Sequence, residues 1–142
     1  MQLDSFFPYR LAVASEAFSR KLTEVYQREF GLSREEWRLL FLLANAKSLT
    51  SLELSQRTTL DKVQVSRAAQ RLDDKGLITR SISEEDRRIR IYHCTPEGHR
   101  RFEQLLPQVD ACAQGMLNSM SAEERAALDR GVTALLKAAT VT

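Results

Sequence analysis

TSLELSQRTTLDKVQVSRAAQRLDDKGLITRSISEEDRRIRIYHCTPEG, residues 50–98, is the stretch that decides the fold. Thr50 is followed three residues later by Glu53, and Asp61 by Gln64, pairings that can satisfy two unpaired amide donors at the start of a helix. A short helix from Thr50 to Arg57, a polar TTLD turn and a second helix from Asp61 to Lys75 closed by Gly76 have helix-turn-helix spacing. At about 100° per residue, Val65, Ala68, Ala69 and Leu72 share one small apolar face of the second helix. Val63, Arg67, Gln70 and Asp74 lie opposite, with Gln64, Ser66 and Arg71 on the flanks. After Gly76 the period changes. LITRSIS (77–83) and IRIYHCT (89–95) are rich in β-branched and aromatic residues and flank the polar SEEDRR, which predicts a hairpin with a charged tip. Thr95 then caps a new helix that has Pro96 at its first position, where the missing N–H costs nothing.

Working outward, Leu11, Phe18, Leu22, Val25 and Phe30 recur at helical spacing before Gly31, which predicts a long first helix. Ser33 with Glu36 opens a helix from Arg34 to about Asn45, and its Trp37, Leu40, Phe41, Leu43 and Ala44 are too many for one narrow stripe, so it should be largely buried. Beyond Pro96, the residues Phe102, Leu105, Leu106, Val109, Ala113, Met116 and Met120 continue a helix that Pro107 should kink or split. Ser121 with Glu124 opens the last helix, which carries Leu128, Val132, Leu135 and Leu136 on one face. The expected fold is mostly α with a small β-hairpin wing. It forms a single domain over 1–142, with a winged helix-turn-helix core over 33–100 and flanking helices in 1–32 and 101–142.

Composition fits that picture. At 142 residues the chain suits one domain, and 43% hydrophobic with 28% charged residues excludes wholesale disorder. No apolar run is long enough to span a bilayer, and MQLDSFFPYR lacks the order of a signal peptide, so no membrane association and a cytoplasmic location are expected. Cys94 and Cys112 form neither a disulfide framework nor a CxxC pair. The net charge of +2 is unevenly spread: residues 57–101 hold eleven Lys and Arg against seven Asp and Glu, while the flanks are neutral or acidic. A basic centre favours a polyanion there. Lys62, Gln64, Ser66 and Arg67 crowd the first turns of the helix that would enter a major groove, with Gln70 and Arg71 further along. Arg67 suits guanine, Gln64 adenine, Ser66 either, and Lys62 a phosphate. At the hairpin tip, Arg87 and Arg88 suit a narrow minor groove. Asp86, which would repel DNA, is expected to pair with an arginine and fix the loop, leaving Arg88 to reach the groove.

Three stretches, FGLSREEWRLLFLLAN, DKVQVSRAAQRLDDKGLITR and EEDRRIRIYHCTPEG, resemble the MarR family of winged-helix transcriptional regulators. Asp86 and Arg88 match the family's Asp-x-Arg wing signature, and Ser66 with Arg67 its recognition-helix pair; Cys94 stands where the family often has Leu. The resemblance implies an obligate homodimer on a near-palindromic, inverted-repeat double-stranded DNA operator. Its usual role is that of a repressor released by a small ligand or an oxidant. The apolar stripes of the terminal helices agree, since the winged core is too small to cover them and a partner chain would. Two recognition helices about 34 to 36 Å apart would then ask for an inverted repeat. The family's ligands, often aromatic acids, bind where the dimerisation helices meet the winged domain, where Tyr9, Arg10, Trp37 and Phe41 are the candidates.

Two other readings keep the same fold. One is a protein-interaction module in which Arg67 and Arg88 bind an acidic partner; the other is a redox- or metal-responsive regulator using His93, Cys94, His99 or Cys112. Against the second, the first helix has no Cys, and adjacent His93 and Cys94 would point to opposite faces of a strand. No cofactor is expected. Nothing resembling GxSxG, HExxH, a Walker loop or GxGxxG is present, so no enzyme is expected either.

Overall fold

The computed structural model describes residues 2–141; Met1 and Thr142, the two ends of the single-domain assignment, lie outside the described residues. A 3-10 turn at Leu3–Ser5 leads into α1 (Phe7–Phe30). The left-handed Gly31, at φ 64°, ends that helix with its amide on the Gln27 carbonyl at 3.0 Å, and the Leu32 amide reaches back to Tyr26. Then come α2 (Arg34–Ala44), β1 (Leu49–Thr50), α3 (Ser51–Thr58), α4 (Lys62–Asp74), β2 (Ile78–Ile82), β3 (Arg90–Cys94), α5 (Pro96–Asn118) and α6 (Ala122–Thr140). Among the described residues no helix is long and apolar enough to cross a membrane.

The core sits where α2, α4 and α5 meet the sheet. Leu39, Leu40, Leu43, Leu54, Val65, Ala68, Ala69, Leu72, Ile78 and Leu105 are all buried. Ala68 and Ala69 take up little room, so α4 can lie close against α2. Trp37 lies between Tyr26 and Phe102, stacked on each at 5.5 and 5.6 Å.

Several expectations needed correction. Ser33 accepts the Glu36 amide at 3.1 Å, but the return half of that box is missing. The Glu36 carboxylate is instead buried against the Lys75 ammonium at the end of α4. The other three boxes, at Thr50, Asp61 and Ser121, close in both directions. The hairpin has a third strand: β1 pairs antiparallel with β3, Leu49 opposite Tyr92, giving the order β1-β3-β2. Two residues are too few to show alternation. The TTLD turn is not wholly polar, because Leu60 is buried, with its carbonyl held by the Ser55 hydroxyl at 2.9 Å. Pro107 does not split its helix: α5 runs unbroken through it. The ring is on an exposed face where the freed carbonyl meets water, and the neighbouring Gln104 carbonyl takes the Gln108 side-chain amide at 3.3 Å. α2 is largely buried as expected, and Phe41, at 42%, is the one exposed residue of Arg34–Ala44.

The terminal helices contrast with the core. α6 buries no residue and α1 only Tyr26, while Phe7, Leu11, Val13 and Phe18, then Leu128, Val132, Leu135 and Leu136, are exposed. Clusters of exposed apolar side chains of this kind mark interaction surfaces.

Candidate nucleic-acid interface

The turn that presents α4 is tightly held. Thr58 donates to the Leu54 carbonyl at 2.5 Å and accepts the Leu60 amide at 3.3 Å, while Thr59 takes the left-handed conformation, φ 63°. A β-branched residue adopts that conformation only where its neighbours over-determine it. Here they do, and α4 starts at a fixed angle with its polar face outward.

On that face Lys62, Ser66, Arg67 and Arg71 are exposed, and none has a side-chain hydrogen bond or ion pair among the described residues. Gln64 and Gln70 are engaged. The Gln64 side-chain carbonyl accepts the Asp61 amide at 3.1 Å in the capping box, leaving only its NH2 group outward, so a two-point match to adenine is unavailable while the cap stands. Gln70 accepts from Arg80 at 2.5 Å and donates to Asp74 at 2.9 Å. Arg80 also reaches Asp73 at 3.1 Å. Sequence reasoning missed Arg80, which ties β2 to the end of α4. The available signal was a lone cation in the LITRSIS strand shortly after the Asp73–Asp74 pair, and the structure sets it directly opposite Tyr92.

The wing loop is closed by Ser83, whose hydroxyl accepts the amides of Glu85 and Asp86 and whose own amide donates to the Ile89 carbonyl at 3.0 Å. Asp86 does pair with an arginine, but that arginine is Arg88 itself. One carboxylate oxygen takes the Arg88 backbone amide at 3.0 Å and Nε at 3.1 Å, and the other takes the second guanidinium nitrogen at 3.1 Å. The guanidinium, then the backbone amide, hold the Asp86 carboxyl below its ordinary range. Arg88 is therefore aimed rather than left free, with its side chain still 91% exposed. Arg87 is exposed beside it. Between helix and wing runs an open furrow of about 360 Å³, with Leu52, Lys62 and Ser66 on one wall and Arg88, Arg90 and Tyr92 on the other. The cationic groups of Lys62, Arg88 and Arg90 edge this furrow, a placement that favours an anionic partner.

The four candidate ligand residues are not brought together within one chain. Trp37 and Phe41 border a depression of about 490 Å³ with Arg38, Arg57 and Thr59, and Tyr9 lies in a separate groove on α1 beside Val13, Glu16 and Arg20. Arg10 is exposed and borders neither.

Among the described residues no three His, Cys, Asp or Glu side chains cluster as a metal site. Burial pushes the Cys94 thiol up to about 11. In the unfolded chain it ionises first, so its contribution to stability is present below the ordinary thiol range and is lost as pH climbs toward about 11. Iodoacetamide at about pH 8 should therefore leave Cys94 unmodified in the native protein but alkylate it after denaturation. Rapid native labelling would place a reactive thiolate there.

A family model described as MarR family matches residues 30–89. Among curated proteins, the HTH-type transcriptional repressor YetL of Bacillus subtilis is 30% identical over 112 residues, 75% of this chain and 67% of that protein. The uncharacterized HTH-type transcriptional regulator YdgJ of the same organism is 32% identical over 95 residues, 67% of this chain. The chain spans 58% of the length of YdgJ. Among solved structures, Bordetella bronchiseptica BpsR, whose DNA binding is regulated by 6-hydroxynicotinic acid, superposes with a TM-score of 0.85 over 100% of this chain and 99% of its own. At 19% identity that likeness speaks for the fold alone.

Proposed function

This chain belongs to the MarR family, and from that premise we propose that it is a sequence-specific, double-stranded-DNA-binding transcriptional regulator acting as a homodimer on an inverted repeat. The observation that carries the reading is the exposed Arg67 on the outer face of α4 together with the carboxylate-aimed Arg88, which faces Lys62 and Ser66 of the same helix across a furrow edged by cations. In this reading α4 enters the major groove, where Arg67 and Ser66 read base edges and Lys62 and Arg71 meet phosphates. Arg87 and Arg88 reach the adjoining minor groove, with Asp86 fixing the angle of Arg88 and Gln70 bracing the helix. The curated relatives matched are transcriptional regulators, not enzymes.

The finer parts of the proposal have separate supports. Residues 33–100 form the DNA-binding core, and the exposed apolar faces of α1 and α6 in the flanks 1–32 and 101–142 meet a second copy of the chain. Repression follows the similarity to YetL. Release by a small aromatic acid follows the example of BpsR and the ring-lined depression at Trp37 and Phe41, where Arg38 and Arg57 can meet a carboxylate. Tyr9 and Arg10 would join that site only from the partner's α1.

Selection of duplexes from a random pool, followed by titration at several salt concentrations, tests the reading. Affinity should fall steeply with salt as counterions cease to be released. Arg67→Ala should cost about 1–3 kcal/mol per half-site and relax base preference at one position, whereas Arg88→Ala should weaken all duplexes alike and flatten the salt slope. If neither variant alters affinity, the assignment of both roles is wrong. Binding to acidic protein but to no duplex would favour the protein-interaction reading.

A further inference from the structure

Val63 is 58% exposed in the first turn of α4, and it is the one apolar side chain among the outward positions 62, 63, 64, 66 and 67. A lone exposed apolar residue is ordinary on a protein surface and means nothing by itself. Its neighbours give it meaning. Gln64 has its carbonyl committed to the helix cap, and Gln70, about two turns beyond Val63 on the same face, is tethered to Arg80 and Asp74. Two of the side chains with base-reading chemistry are thus partly or wholly spent on the protein itself. What projects without restraint from the first half of the helix is Lys62, Val63, Ser66 and Arg67. Val63 and Arg67 are four residues apart and stack along one face, about 6 Å from each other.

The major groove displays one apolar feature, the C5-methyl of thymine. We propose that Val63 is a specificity-determining residue that packs on the methyl of a thymine one or two base pairs from the base read by Arg67. This rests on the reading of α4 as a recognition helix and adds to it the base class read at a second position. The spacing follows from the helix: about 6 Å along α4 covers somewhat less than two steps of about 3.4 Å along the duplex. The exposed apolar faces of α1 and α6 do not compete for Val63, since they lie on other elements of the fold. Leu52 does compete for the methyl: it is 59% exposed on α3 and stands in the wall of the furrow beside Ser66.

Replacing thymine by deoxyuridine removes the methyl and nothing else. The probe is the tightest duplex recovered from a random pool, with its thymines changed to deoxyuridine one symmetric pair at a time. Wild-type protein should bind about fourfold more weakly per half-site when one particular pair is changed, the effect of one buried carbon. Val63→Ala should bind the thymine and deoxyuridine duplexes equally, at the level of the wild type on deoxyuridine. Alanine is the better helix former, so the variant should keep its fold. Arg67→Ala should locate its own base within two pairs of that thymine. The inference is overturned if no deoxyuridine substitution weakens the wild type, or if Val63→Ala keeps the discrimination and Leu52→Ala loses it. In those outcomes salt-dependent duplex binding persists and the regulator reading stands. Absence of binding to any duplex at low salt overturns both together.

Discussion

Gly98→Ala is expected to destabilise the protein by about 3 kcal/mol, although the same change in a free helix stabilises by about 1 kcal/mol. Gly98 is buried at the third position of α5, and a Cβ built there would stand 2.1 Å from the Leu77 carbonyl oxygen and 2.7 Å from the Cys94 sulfur. The cysteine could turn away. The carbonyl cannot, because it accepts the Thr95 amide at 3.0 Å while the Thr95 hydroxyl donates to the Gly76 carbonyl at 2.7 Å and accepts the Gly98 amide at 3.0 Å. These bonds fasten the first turn of α5 to the start of β2, so relieving the clash means breaking some of them, at about 1 kcal/mol each, or shifting the wing relative to α4. Chemical denaturation measures the first outcome, and weakened duplex binding by protein that remains folded reveals the second. Gly115→Ala in the same helix is the reference, since a Cβ there meets nothing in this chain, and it should leave stability unchanged or raise it. Equal stability of the two variants would show that the contact at Gly98 relaxes freely.

The difference between Gly98 and Gly115 also shows where the sequence is legible. Period, caps and turn chemistry are local, and they placed the helix-turn-helix, the inward face of Val65, Ala68, Ala69 and Leu72, the wing and the Thr95 cap. What local pattern does not carry is the choice among partners distant in the chain. Glu36 has the spacing of a capping residue, yet it turns to Lys75, thirty-nine residues away. Gln70 faces outward with Arg67 but is claimed by Arg80 from the neighbouring strand. Gln64 was assigned both to a helix cap and to a base, and its carbonyl takes the cap. Pro107 is a helix breaker by propensity, but tertiary packing on Phe102, Leu105 and Val109 holds α5 together across it. In each case a short-range rule was right about the residue's chemistry and silent about its competitor.

Lys75→Met is expected to be the second most damaging single change, at about 2–3 kcal/mol. Glu36 is 3% exposed, and the Lys75 ammonium that neutralises it also donates to the Gly31 carbonyl at 2.9 Å. One side chain at the C-cap of α4 thus meets the first turn of α2 and the end of α1. Removing it strands a buried carboxylate, while the exposed Gly31 carbonyl can turn to water, and breaking a fully buried pair typically costs about 3–5 kcal/mol. The lower figure applies because the Lys75 side chain is 37% exposed, so water can enter where the ammonium was. Glu36→Gln should cost less, about 1 kcal/mol, since the amide keeps an oxygen for Lys75 and the lysine can swing into solvent. The combined Glu36→Leu, Lys75→Met variant separates charge burial from simple loss of contact. If the damage in Lys75→Met is the unpaired carboxylate, the double variant should be more stable than that single variant, because apolar side chains can fill the site without stranding a charge. A double variant no more stable than Lys75→Met would mean that the stranded carboxylate is not the source of the damage. The same three proteins tested on DNA show whether the contact matters beyond stability. Among the described residues it is the one polar side-chain link between the C-cap of α4 and the end of α1, so a variant that stays folded but no longer holds α4 to α1 should bind its duplex with altered affinity, whereas a purely structural pair would leave binding by the folded fraction unchanged.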